Sequence, residues 1–452
     1  MRQQTRRHGG QTADLHTRLD RRRGPALRRL FLAAVIAATI ACGTVGHRPE
    51  PLDGGTVNGA WLRLVMDDAS HGWAETAHAL VRTEDGGRRW LAVPLPTAVD
   101  LSREPLTAFT GRVGAWLCEQ GAARGSSPMP RNPEGDPRNR ESPLARCFAT
   151  GNAGGTWTSG TLPGTSSTFT ARTRLDADLT SVAAIDAEHA WVVVRTVSSF
   201  AGGGHERINL RDQSLLRTAD GGASWTVVRR RVPAEDATPD TPGGVAWVRF
   251  ADAGTGWLGG FLPGRLEVTH DGGATWQAVS APMPPPATTS EIVDLKPISF
   301  LPNHELVEPV VVGGPTTSYR VTLLLSRDGG RSWAAPPARD IGRTSPAQLD
   351  VLDSQHWWIV TGTTFHTTID EGAHWITFSA KSPVPLLDDV QMTSSQSGLA
   401  IGVDPAHAGD RDRGDTTAWR QLLSTTDGAR TWRPVAIAGG AAAPASTAPP
   451  RL

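Results

Sequence analysis

The chain has 452 residues, enough for two or three ordinary domains or for one domain built from repeats. Hydrophobic residues at 38% and charged residues at 20% argue against both a disordered chain and a multispanning membrane protein, while 49 Gly and 34 Pro require many turns. The net charge is zero, but residues 1–29 hold nine Arg against Asp14 and Asp20, which leaves a mildly acidic body with only two lysines, Lys296 and Lys381; it offers no basic stripe, so no nucleic-acid partner is expected.

In chain order, the basic stretch leads into the uncharged run Leu30–Ala41 (LFLAAVIAATIA). That run is too short to span a bilayer as a helix, which needs about 20 residues. Its flanks instead predict an export signal over residues 1–41. Arg28, Arg29, Phe31 and Leu32 resemble part of a twin-arginine signal, although Leu27 stands where Ser or Thr is usual, so both export routes stay open. Cys42, followed by Gly43, resembles the lipidated cysteine of a bacterial lipoprotein, with Thr39 where Leu is usual; the alternative is an uncleaved anchor running on to Gly46. Residues 42–56 read as a linker, and the expected location is the outer face of the cytoplasmic membrane or the cell envelope.

Between residues 57 and 437 one eight-residue phrase recurs seven times, from TEDGGRRW at Thr83–Trp90 to TTDGARTW at Thr425–Trp432. The pattern is [Ser/Thr]-x-Asp-x-Gly-x-x-Trp. Its acidic position is held by Asp85, Asn152, Asp220, Asp271, Asp328, Asp370 and Asp427, and its last by Trp90, Trp157, Trp225, Trp276, Trp333, Trp375 and Trp432. This series accounts for much of an aromatic set of 16 Trp against 10 Phe and one Tyr. The chemistry is that of a hairpin turn: the carboxylate accepts from the turn's own N–H groups, Gly supplies a positive φ, the hydroxyl holds a further backbone group and the indole covers the turn. Asn152 keeps an acceptor oxygen, whereas Ala429, in the Gly position of the last copy, predicts a distorted turn.

A second phrase, an apolar strand and a polar turn ending in Trp, precedes most copies and carries Trp73, Trp116, Trp191, Trp257 and Trp358. The fifth unit shows only the apolar run Val310–Val312 there, and the seventh has Gly398-Leu399. Each unit reads as four short strands; in the third they are Leu179–Ile185, Trp191–Thr196, Ser214–Thr218 and Ser224–Arg229. Seven units over residues 57–437 average about 54 residues, close to the roughly 40–50 of a propeller blade. The predicted fold is all-β, a seven-bladed β-propeller of four-stranded antiparallel blades, followed by a disordered Ala/Pro/Gly-rich tail over residues 438–452. Whether the ring closes with or without a strand exchange between the termini is left open.

The eight-residue phrase resembles the Asp-box (BNR) repeat, and its pairing with the second phrase is most similar to photosystem II assembly-factor-like propellers and, more distantly, to sortilin-type propellers. The resemblance covers nearly the whole body and implies a fold rather than a task, because sialidases, xyloglucanases and binding scaffolds share the repeat.

Four strands per blade place the boxes, as C–D hairpins, on one face together with the A–B turns. The B–C and D–A connections fall on the other face, where the insertions Glu119–Ser142, Ser199–Asp212 and Asp404–Thr417 and the connections Val232–Gly244 and Pro282–Ser290 gather. That face is the expected site for a protein or glycan partner. Cys118 and Cys147 flank the longest insertion and read either as a disulfide staple in an oxidising compartment or as two buried thiols.

Catalytic signatures fail to assemble. A sialidase would need an Arg-Ile-Pro segment before the first box, an arginine triad and a Tyr nucleophile; the nearest segment, Arg231-Val232-Pro233, follows the third box, and the lone Tyr319 precedes the fifth. A xyloglucanase of this kind would need two carboxylates across a cleft, typically between two propellers. Phosphate-loop, nucleophile-elbow and zinc-protease patterns are missing, and the Asp410, Asp412, Gly414 cluster lacks the later ligands of a calcium loop. The reading is a non-catalytic, membrane-attached scaffold with no cofactor or metal; the alternative is an extracytoplasmic glycoside hydrolase on the same fold.

Overall fold

The computed structural model describes residues 61–436, apart from 98, 102–104, 120–143, 166–167, 170–172, 203–204, 232–244, 261–265, 287, 289–290, 315, 344–347 and 405–419. The described strands form seven antiparallel sheets, each drawn from one consecutive stretch of chain. They are the blades of a seven-bladed β-propeller. The inner strand of each blade (A) is Trp61–Met66, Leu106–Thr110, Thr173–Ala184, Val245–Phe250, Ile292–Leu295 with Ser299–Phe300, Gln348–Val351 and Leu386–Met392; in the third blade the short strand Thr168–Phe169 precedes it and pairs with its Arg174–Leu175 end.

Seven buried apolar clusters, one per blade interface, hold the ring together, and the two sequence phrases supply opposite halves of each. The second-phrase residue packs toward the following blade. Trp73 joins Leu117 and Phe148, Trp116 joins Leu179 and Val192, and Trp191 joins Val248 and Phe250. The box Trp packs toward the preceding blade, so Trp225 meets Trp116 edge-on at 6.1 Å and Trp432 lies beside Phe365 at 6.2 Å. Where the second Trp is missing, the register puts Val307 and Leu399 in its place, beside the partners of Ser326 and Thr425, and both are buried. Each large apolar side chain so buried contributes about 1.5–3 kcal/mol.

Among the described residues the ring closes without strand exchange: the first sheet is Trp61–Ala92 and the last Leu386–Pro434. Trp61, Leu64, Val81 and Trp90 of the first blade pack on Leu399, Ile401 and Leu422 of the last, and the Leu64 N–H donates to Asp389 Oδ2 at 3.1 Å.

Two expectations for the third blade are corrected. In the third blade the inner strand runs Thr173–Ala184 rather than Leu179–Ile185, and Ser199–Asp212 is not a loop. Strands Ala190–Gly202 and His205–Thr218 stay paired from Ala190↔Thr218 out to Gly202↔His205, with one bulge after Thr196, and Thr173 still pairs with Phe200. A β-ribbon therefore extends this blade on the B–C face. In the fifth blade the inner strand is split at Lys296-Pro297-Ile298, since Pro297 has no N–H to give the ladder. Its outer strand is Arg339–Gly342, set back after an isolated Leu325↔Ala334 bridge because Pro336 and Pro337 interrupt it.

Candidate functional site

The box turns are uniform. In all seven, the Ser or Thr hydroxyl donates to the Asp or Asn Oδ1 at 2.8–3.0 Å. That oxygen also accepts the N–H four residues on at 2.8–2.9 Å. In the first six the same hydroxyl accepts the Gly N–H at 2.8–3.0 Å. Both central residues have positive φ, as in Gly221 (70°) and Gly222 (83°), the requirement of a type I′ turn. Ala429 adopts the same hand at φ 68°, and no bond from its N–H to Thr425 is present among the described residues, so the last turn keeps its shape but loses one tie. Hydrogen bonds from Thr218 and Ser224 hold the Asp220 carboxyl down at about 2; those from the corresponding neighbours do the same for Asp271, Asp328 and Asp370. Each of the six box carboxylates, like the Asn152 amide, is consumed within its own turn, and the seven turns are spread around the rim rather than brought together.

The expected partner face is only partly described. The insertions 120–143 and 405–417 and the connection 232–244 lie outside the described residues, as do Cys42 and the signal segment. Cys118 and Cys147 are buried and directly opposed across strands B and C of the second blade, with Sγ atoms at the bonded distance of 2.01 Å.

A concavity among the described residues is on the other face. A cavity of about 510 Å³ fills the axial channel where the inner strands run into their A–B turns, lined by residues such as Met66, Ala184, Arg249, Phe300, Asp350 and Gln391 from six blades. Its walls are stitched by side chains that bond the backbone of the next inner strand. Ser181 Oγ accepts from Val248 N at 3.2 Å, Asp350 Oδ2 from Met392 N at 2.7 Å, and Gln348 grips both the N–H and the carbonyl of Val390. Arg63 Nη1 donates to Thr107 O and Oγ1 at 2.7 Å.

Burial pushes the Asp350 carboxyl up to about 7 against the pull of the Met392 and Val351 N–H groups. Asp389, at φ 44° in a bulge, is pushed up to about 6 by burial and by Asp388 beside it. Arg249 is lowered to about 10 by burial and by Arg63. Farther from the axis, Glu308 is fully buried with neither carboxylate oxygen partnered among the described residues, and burial with Asp294 nearby raises it well above the usual range. Sequence reasoning missed these residues because a polar position on an inner strand carries no local motif; only its alternation with core residues marks it.

No protein-family model matches the chain, and no curated protein matches it. Solved structures that resemble it include YCF48 bound to D1 peptide, at 15% identity over 86% of each chain with a TM-score of 0.36. YCF48 from Cyanidioschyzon merolae is 14% identical over 77% of this chain and 94% of that one, with a TM-score of 0.43. The xyloglucanase of Xanthomonas campestris is 14% identical over 83% of this chain and 64% of that one, with a TM-score of 0.28. The assignment of the fold rests on the strand pairing itself: this chain is a seven-bladed β-propeller.

Proposed function

We propose that the chain is a non-catalytic propeller of the Asp-box type that binds a protein partner on its B–C and D–A face, exported and held at the membrane by lipid on Cys42. The observation that carries the non-catalytic part is the employment of the inner-strand carboxylates: Asp350 and Asp389 each accept the backbone N–H of a neighbouring blade. Carboxylates fixed in this way serve as joints between blades. The ribbon of the third blade gives the opposite face relief of the kind on which rigid scaffolds carry recognition.

Capture from solubilised membranes, with the full chain and with residues 119–142 replaced by a short linker, tests this reading. A partner retained by the first and lost with the second supports it; equal recovery from both sinks the loop's role. Palmitate labelling that disappears in Cys42→Ser supports the anchor, and labelling that persists removes it.

A glycosidase reading rests on Asp350, whose raised carboxyl has the environment of a general acid. Turnover of xyloglucan or a sialoside that vanishes in Asp350→Asn would favour that reading over the scaffold.

A further inference from the structure

Arg249 and Asp350 line the same cavity without meeting. They stand on the inner strands of the fourth and sixth blades, and the fifth blade's Phe300, 38% exposed, lies in the wall with them. Several partly buried arginines are ion-paired: Arg229 with Glu267 at 2.7 Å, Arg320 with Glu291 at 2.7 Å, Arg420 with Asp388 at 2.6 Å. Among the described residues Arg249 has neither a hydrogen-bond nor an ion-pair partner, and the charge it faces across the channel is another cation, Arg63. Asp350 holds the backbone N–H groups of Met392 and Val351, and no cation pairs with it among the described residues.

The mouth carries charges of both signs. Asp67 and Asp68 at its rim repel an anion, Arg249 repels a cation, and Asp68 is already engaged by His71 and Arg112. A molecule carrying both charges satisfies both walls at once. A guanidinium takes a carboxylate through two parallel N–H···O bonds, and the Met66, Phe300 and Met392 side chains suit an apolar body between the charged ends. The volume of about 510 Å³ falls in the range of small-molecule sites, about 300–1,000 Å³.

We propose that the channel mouth on the box face is a binding site for a small zwitterion, with its carboxylate on Arg249, its ammonium on Asp350 and an apolar span across Phe300. The site is separate from the partner face, so either can fail without the other.

The test is calorimetric titration of the full chain at pH 8, where Asp350 is ionised, using 6-aminohexanoate and 8-aminooctanoate as probes and hexanoate and hexylamine as single-charge controls. At least one zwitterion should bind saturably and about tenfold or more tighter than either control. Arg249→Gln should reduce that zwitterion to the affinity the same variant shows for hexylamine, with hexylamine bound no more weakly than by the wild type, and Asp350→Asn should reduce it to the affinity that variant shows for hexanoate, with hexanoate bound no more weakly. The retained control in each variant reports an intact fold. Equal affinity for zwitterions and controls, affinity indifferent to both substitutions, or no saturation by any probe up to about 10 mM overturns the proposal.

Discussion

The substitution Asp350→Asn isolates what a charged group inside the propeller axis does to the stability of the ring. Asparagine keeps an oxygen to accept the Met392 N–H, so the link between the sixth and seventh blades survives while the charge disappears. The folded carboxyl titrates at about 7 against an ordinary 3.8, so the folded state holds a proton that the unfolded state has released. A carboxyl raised in this way contributes stability that is present below about pH 4 and is lost as pH rises through about 7. Three units at 1.36 kcal/mol each set an upper bound of about 4 kcal/mol. The side chain lines a channel that admits water, which reduces the loss to about 1–3 kcal/mol. Chemical unfolding at pH 5, 6, 7 and 8 measures it: the wild type should weaken toward pH 8 and the variant should weaken less, so that at pH 8 the variant is the more stable of the two. Parallel curves, or a variant less stable at pH 8, would refute the claim that burial of this carboxyl costs the fold.

Other perturbations test other joints. Trp191 is fully buried, stacks on Phe250 at 3.6 Å and donates to Gly272 O at 2.9 Å; Trp191→Ala should cost about 3–5 kcal/mol in unfolding free energy, and a loss below about 1 kcal/mol would contradict the interface packing. A Cβ at Gly160 would sit 2.1 Å from Gly222 O and 2.8 Å from Ala223 O of the next blade, so Gly160→Ala should force the second and third blades apart at about 1–3 kcal/mol, read as a lowered melting temperature. Thiol counting on the purified protein should find Cys118 and Cys147 oxidised together, and the double Ser variant should lose about 3–4 kcal/mol from a closed loop with a sequence separation of 29. The box carboxylates near Asp271 and Asp328, held down at about 2, add stability that is present above about pH 4 and lost as pH falls through about 2. With Asp350 and Asp389 acting in the opposite sense, stability should peak near pH 4–5; a maximum near neutrality would reverse the assignment.

The blade count was legible because the two Trp phrases perform one mechanical operation twice, pinning a blade to each of its neighbours. Trp116 and Trp225 meet across an interface although they are far apart in the chain, and their spacing repeats because the interface repeats. The ribbon of the third blade was less visible. Its one clear signal was the Gly203-Gly204 pair between two polar runs, a two-residue hairpin connection with weak strand composition on both sides. Arg249, Asp350 and Asp389 were illegible for a different reason. Their roles depend on which inner strands the ring brings face to face, and no spacing along one strand encodes that.

Closure without exchange also bears on how such a chain changes over generations. Because the first and last sheets each carry a full set of strands, the blade behaves as a genetic cassette: recombination at the D–A junctions can delete, duplicate or reorder whole units without stranding half a sheet. A ring latched by a shared strand would tie its two termini to a common reading. Here the permitted rearrangements are limited only by whether each new seam finds an indole from one side and an apolar partner from the other.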